Sequence, residues 1–117
     1  MGNEILNLLK DAGNDVDSAL RRFVGNEAMY IKFLKRFADD KSYSEMKEAV
    51  EKNDMGNAFV AAHTLKGVAG NLGLTKLFDV ASEVTEKLRT RSDSDLAADF
   101  ARITAEYDAV MAFIAKF

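Results

Sequence analysis

Apolar residues recur along this chain at steps of three and four, the period of one face of an α-helix. Met29, Tyr30, Phe33, Leu34 and Phe37 form one such stripe. Ala58, Ala62, Leu65, Ala69 and Leu72 form a second, and Leu77, Phe78, Ala81, Val84 and Leu88 a third. Leu96, Phe100, Ile103, Tyr107, Val110, Met111 and Ile114 complete a long fourth stripe. Ahead of them, Ile5, Leu6 and Leu9 predict a short helix ending near Gly13-Asn14. A second short helix follows over about Val16 to Val24, with Asp15 as N-cap, Leu20, Phe23 and Val24 as its apolar stripe, and Gly25-Asn26 as its end.

The polar punctuation between stripes sets the remaining boundaries. Asn26 caps the helix that begins at Glu27. Hydrophobicity dips at Asp39-Asp40-Lys41-Ser42, and Tyr43, Met46, Lys47 and Val50 resume the period, which predicts one continuous, slightly bent helix running to Asn53-Asp54. Asp54 caps the next helix and Gly73 terminates it; Thr75 is the expected N-cap of the helix that ends in Arg89-Thr90-Arg91. Ser92 with Asp95 resembles a capping box for the final helix, with Asp in place of Glu. Loops this short join antiparallel neighbours. The expected fold is therefore all-α, an up-and-down antiparallel four-helix bundle with one or two short N-terminal helices. The whole chain, 1–117, reads as a single domain, with cap helices over 1–25 and the bundle over 26–117.

Composition supports this and narrows function. A chain of 117 residues, 48% hydrophobic and 30% charged, fits one domain with a sizeable core, and the absence of proline favours helix. A net charge of -3 with both signs interspersed lacks the clustered basic face that nucleic acid requires. No cysteine is present, hence no disulfide and no thiolate metal site. No apolar run is long enough to span a bilayer, no signal-peptide pattern is present, and Met1-Gly2-Asn3-Glu4-Ile5-Leu6 lacks the Ser or Thr of a myristoylation motif. These features predict a cytoplasmic protein with no membrane partner, and the initial Met with caps at both ends predicts a free-standing chain, expected to be a monomer.

The only histidine, His63, lies in a helical segment that also holds Gly67 and Gly70. Glycine in a helix interior costs roughly 1 kcal/mol against alanine, so the pair implies a surface that must stay bare. At about 100° per residue, Gly67 lies about 40° from His63, Gly70 about 20° to the other side and Lys66 about 60° off, while Leu65, Ala69 and Leu72 point roughly opposite. His63 is thus expected to be exposed. Gly56 and the apolar rims Phe59 and Val60 extend its face toward the N-terminus. Phe59 reads equally well as a core residue, and close packing of a neighbouring helix is the competing explanation of the glycines, against which the wheel argues. The expected docking surface comprises Gly56, Phe59, Val60, Gly67, Gly70 and Asn71.

The run His63-Thr64-Leu65-Lys66-Gly67-Val68-Ala69 with Leu72-Gly73 resembles the signature of histidine-containing phosphotransfer (HPt) domains. Asn26-Glu27 through Phe37-Ala38 resembles the upstream helix of that family and Leu74 through Leu88 the following one; the first 25 residues and the last helix match loosely. Every motif position is filled. The resemblance implies that His63 accepts a phosphoryl group from an aspartyl phosphate of a receiver domain in a hybrid sensor kinase and passes it to a response regulator's aspartate. It further implies that Mg²⁺ belongs to the receiver, so that this chain needs no cofactor and no metal of its own. Lys66, one turn from His63, is placed to neutralise charge on the phosphoryl oxygens.

No P-loop and no kinase glycine-rich loop accompanies this pattern, so a phosphocarrier with a phosphohistidine intermediate is expected rather than an ATP-using kinase. Two other classes are compatible with a helical bundle bearing one exposed histidine. One is an adaptor that docks receivers without carrying phosphate. The other uses His63 as an axial ligand to a haem or metal, against which stand the single histidine and its outward direction.

Overall fold

The structure, a computed structural model, describes residues 2–90 and 96–117. Helices α1 (Gly2–Asp11), α2 (Val16–Arg22), α3 (Glu27–Arg36), α4 (Ser42–Glu51), α5 (Met55–Asn71), α6 (Thr75–Arg89) and α7 (Leu96–Ile114) follow in order, and no strand occurs among the described residues. Local capping starts several of them as the sequence requires. The side chains of Asp15, Asn26 and Asp54 accept from the backbone N–H of Ser18, Met29 and Asn57 respectively, each three residues on.

Helices α4 to α7 form the bundle. Neighbours along the chain, α4 with α5, α5 with α6 and α6 with α7, pack side by side. Tyr43 closes the ring from α4 onto α7: its ring stacks on Tyr107 with centroids 4.0 Å apart, and its hydroxyl shares a hydrogen bond of 2.7 Å with Thr104. The apolar stripes converge on one core in which Leu34, Leu65, Leu74, Val84 and Ile103 are fully buried. Burial of such side chains contributes on the order of 1.5–3 kcal/mol each. Ser92 and Asp95, the expected capping box, and Arg91 lie outside the described residues.

Three expectations are corrected by packing. The helix expected to run unbroken from Glu27 to Asn53 is two helices. A 3₁₀ turn over Phe37–Asp39 follows α3, and Asp40 is extended, with φ -71° and ψ 132°. Asp40 instead accepts from the Ser42 backbone N–H at 2.8 Å and from the Ser42 hydroxyl, an Asx-type turn that outcompetes helix continuation. Within α4 the exposed Lys47 leaves the inward positions to Met46 and Ala49.

Val24, expected on an apolar stripe, lies beyond the end of α2, is 92% exposed and has φ of +54°. The tight reversal of Val24-Gly25 into the Asn26 cap carries it away from the core.

Thr75 is the first residue of α6 rather than its cap, which falls at Leu74. The missing cap comes from the α1–α2 turn: the Thr75 N–H donates to Asn14 Oδ1 at 3.1 Å, while the Asp15 N–H donates to Gly73 O at 2.8 Å and to Thr75 Oγ1 at 3.1 Å. Gly73 terminates α5 as expected, at φ +70°. A Cβ there would lie 2.4 Å from the Asp15 carbonyl oxygen, so the crossing of these turns requires glycine.

The buried Tyr30 hydroxyl on α3 donates to Leu72 O at the end of α5, 2.7 Å away. Burial, with a smaller push from the Asp15 carboxylate and a countering pull from Arg22, raises its pKa from 10.0 to about 12. A phenol whose folded pKa exceeds its unfolded value stabilises the fold fully below pH 10, and that contribution is lost as pH rises toward 12. Tyr30→Phe removes the donor and leaves the Leu72 carbonyl without it. The expected result is a loss of about 1–2 kcal/mol, read as a lower urea midpoint at unchanged m-value; an unchanged midpoint would show that this bond adds nothing net.

Candidate functional site

The site is built on α5, which is held at both ends. Asp54 caps its start, accepting from the Asn57 backbone N–H at 3.3 Å and from the Asn57 amide at 2.6 Å. At its end Arg22 Nη1, from α2, donates to Gly70 O at 3.0 Å and Asn71 O at 3.3 Å, placing a cation at the negative end of the helix dipole. Between these anchors Ala58, Ala61, Ala62, Leu65 and Ala69 are buried, which fixes the roll of the helix and turns His63 outward.

His63 is exposed, as its wheel position requires. Thr64 beside it is exposed and turns its hydroxyl back onto Val60 O at 3.0 Å. One turn before His63, the ring of Phe59 lies 6.0 Å from the imidazole between centroids, tilted by 38°. Phe59 is half-buried and packs on the core, as its core reading expects, while its ring borders His63. Val60 is 61% exposed, and Gly56 and Asn71 are also exposed.

The two glycines differ. A Cβ on Gly67 would meet nothing within 4 Å, so the helix backbone there is open to an approaching molecule. On Gly70 it would come within 3.0 Å of the Phe78 ring on α6. Gly70, expected on the docking face, is therefore an intramolecular packing glycine. The turn through Gly73 brings α6 back so tightly that Phe78 leans over the last turns of α5, a width the helical wheel does not include.

Lys66 is half-buried, and no carboxylate lies within ion-pairing distance of its ammonium among the described residues. Nor do the described residues bring together three His, Asp or Glu side chains placed to hold a metal ion. No helix of the described residues is long and apolar enough to cross a membrane.

Sequence reasoning missed Arg22. It lines a groove of about 520 Å³ that runs past Gly67 and Asn71 to Asp79, and its contact with α5 spans nearly fifty residues. Only the basic last turn of α2 hinted at a helix-end partner, and nothing local says that the helix end belongs to α5.

A family model of the Hpt domain matches residues 29–113. The chain belongs to the Hpt domain family. The match starts inside α3, contains α4, α5 and α6, and continues to the penultimate residue of α7, so the last helix, expected to fit loosely, lies within it. Hpt domains are phosphotransfer modules of two-component phosphorelays, phosphocarriers rather than kinases, and membership implies interaction with receiver domains. No curated protein and no solved structure matches the chain.

Proposed function

We propose that this Hpt domain carries a phosphoryl group on His63, taken from the aspartyl phosphate of a sensor-kinase receiver and delivered to a response-regulator aspartate. The observation that carries the reading is an exposed imidazole on a rigid helix whose next turn, at Gly67, presents bare backbone. A neutral imidazole is a nucleophile near pH 7. Its nitrogen lone pair attacks phosphorus, the P–O bond to the aspartyl carboxylate breaks, and the carboxylate leaves with the bonding electrons. Transfer onward reverses these roles on a second carboxylate.

Lys66 lies on the adjacent edge of the helix face and would balance the charge of the phosphoryl oxygens. Gly67, with the rim of Gly56, Phe59, Val60 and Asn71, would receive the receiver's loops, leaving Gly70 to hold α6. The reading treats residues 1–117 as one domain with α1 and α2 buttressing the bundle, acting as a monomer in the cytoplasm.

Incubation with a phosphorylated receiver tests this. The expected label on the chain is lost in hot acid and survives alkali, as a phosphoramidate does and a phosphoserine does not. Acid-stable label would overturn the assignment, and receiver binding without any label would leave a docking adaptor in its place.

A further inference from the structure

Lys66 does not stand alone at the edge of the site. Gly70 on α5 faces the Phe78 ring on the neighbouring helix α6, and Phe59 shares a hollow with Arg89, an antiparallel register that puts the exposed Glu86 of α6 about one turn from the position opposite Lys66. Both carboxylate oxygens are taken by Arg89, one turn further along α6: Nε donates to Oε2 at 3.1 Å and Nη2 donates to Oε1. That fork-on-carboxylate geometry is the most directional ion pair available to an exposed side chain. Hydrogen bonding to Arg89 first, and the Lys66 charge as a smaller contribution, hold the Glu86 carboxyl below its ordinary pKa. Arg89 also borders the surface hollow that contains Gly56 and Phe59, whose ring lies against His63. Further back on α6, Glu83 is paired through one oxygen with Arg102 Nη1 of α7 at 2.8 Å.

We propose that Arg89 is a positioning residue of the phosphoryl-acceptor site: by keeping Glu86 in its own ion pair it keeps that carboxylate off Lys66, whose ammonium then remains available to phosphoryl oxygens. This rests on the reading of His63 as the acceptor. Besides Arg89, the cation whose charge reaches Glu86 is Lys66. Both side chains are long, Glu86 is exposed and Lys66 half-buried, so without Arg89 they would pair across the α5–α6 seam. Each phosphoryl transfer would then have to break that pair and bring the anionic phosphoryl oxygens beside an uncompensated carboxylate.

The test uses the intact chain and potassium phosphoramidate, a donor small enough to need no docked protein. The imidazole forms an N–P bond as the donor's P–N bond breaks, and ammonia leaves with the electron pair. Phosphohistidine formation is followed by ³¹P NMR, with circular dichroism to verify that each variant keeps the parental fold. Arg89→Gln is expected to slow the reaction about two- to fivefold, the range set by an exposed ion pair. The double variant Glu86→Gln/Arg89→Gln is expected to return to the parental rate, a rescue that loss of packing at position 89 would not give. Arg89→Gln reacting as fast as the parent overturns the proposal. So does a double variant as slow as Arg89→Gln, which would mean that Arg89 acts on the phosphoryl group itself. A parent that takes no phosphoryl group overturns the reading of His63, and this inference with it; a labelled parent with an equally fast Arg89→Gln overturns only the role of Arg89.

Discussion

His63→Gln is expected to abolish phosphoryl acceptance completely while leaving the fold intact. Glutamine keeps a polar side chain of similar reach, but its amide nitrogen has no available lone pair, so no N–P bond forms. The packing lost is small: His63 is exposed, and its ring borders only Phe59, 6.0 Å away between centroids. Surface replacements of this kind stay within about 0.5 kcal/mol, which for a domain of this size is a shift in Tm of about 1–3 °C. Helical circular dichroism, a melting curve and transfer from a phosphorylated receiver check both halves. A melting temperature lowered by more than about 8 °C would place His63 among the structural residues, since that corresponds to about 2 kcal/mol or more. Label persisting in the variant would assign the chemistry to another residue.

What could be read from the sequence follows the range of the interaction that decides it. The caps at Asp15, Asn26 and Asp54 each bond a backbone N–H three residues away, and every inward position of the α5 stripe is buried, because capping and helical period are local. The same logic fails wherever a distant group competes. Thr75 has the right residue type for a cap, but Asn14 from the α1–α2 turn had already taken its N–H. Asp40 was placed inside a helix by the resumed apolar period, yet an Asp followed two residues later by Ser satisfies that Ser locally and ends the helix.

At the site, His63, Lys66 and Gly67 were legible because helical angles alone bring them to one surface. Arg22 and the packing of Gly70 against Phe78 were not, because they belong to the seams where α2 and α6 meet α5. The glycines show the limit most clearly. An angle of about 20° from His63 says which way Gly70 points and nothing about what stands there.

Gly67 and Gly70 therefore separate docking from folding. Replacing Gly67 with Gln adds a side chain one turn from His63 into open space, since a Cβ there meets nothing within 4 Å. Glycine is the poorer helix former by roughly 0.5–1 kcal/mol, so Gly67→Gln should melt at or slightly above the parental temperature. Transfer from a phosphorylated receiver should nevertheless fall by about tenfold or more, a barrier increase of about 1.4 kcal/mol or greater, because the new side chain occupies the ground that the receiver's loops need. Phosphoramidate, which has no loops to dock, should phosphorylate His63 at nearly the parental rate. The same replacement at Gly70 serves as the control: its side chain would be driven into the Phe78 ring, 3.0 Å from the new Cβ, and the overpacking should cost about 1–3 kcal/mol of stability. If Gly67→Gln unfolds the chain, or exchanges phosphoryl groups with a receiver as fast as the parent, the bare turn beside His63 is not where the receiver comes to rest.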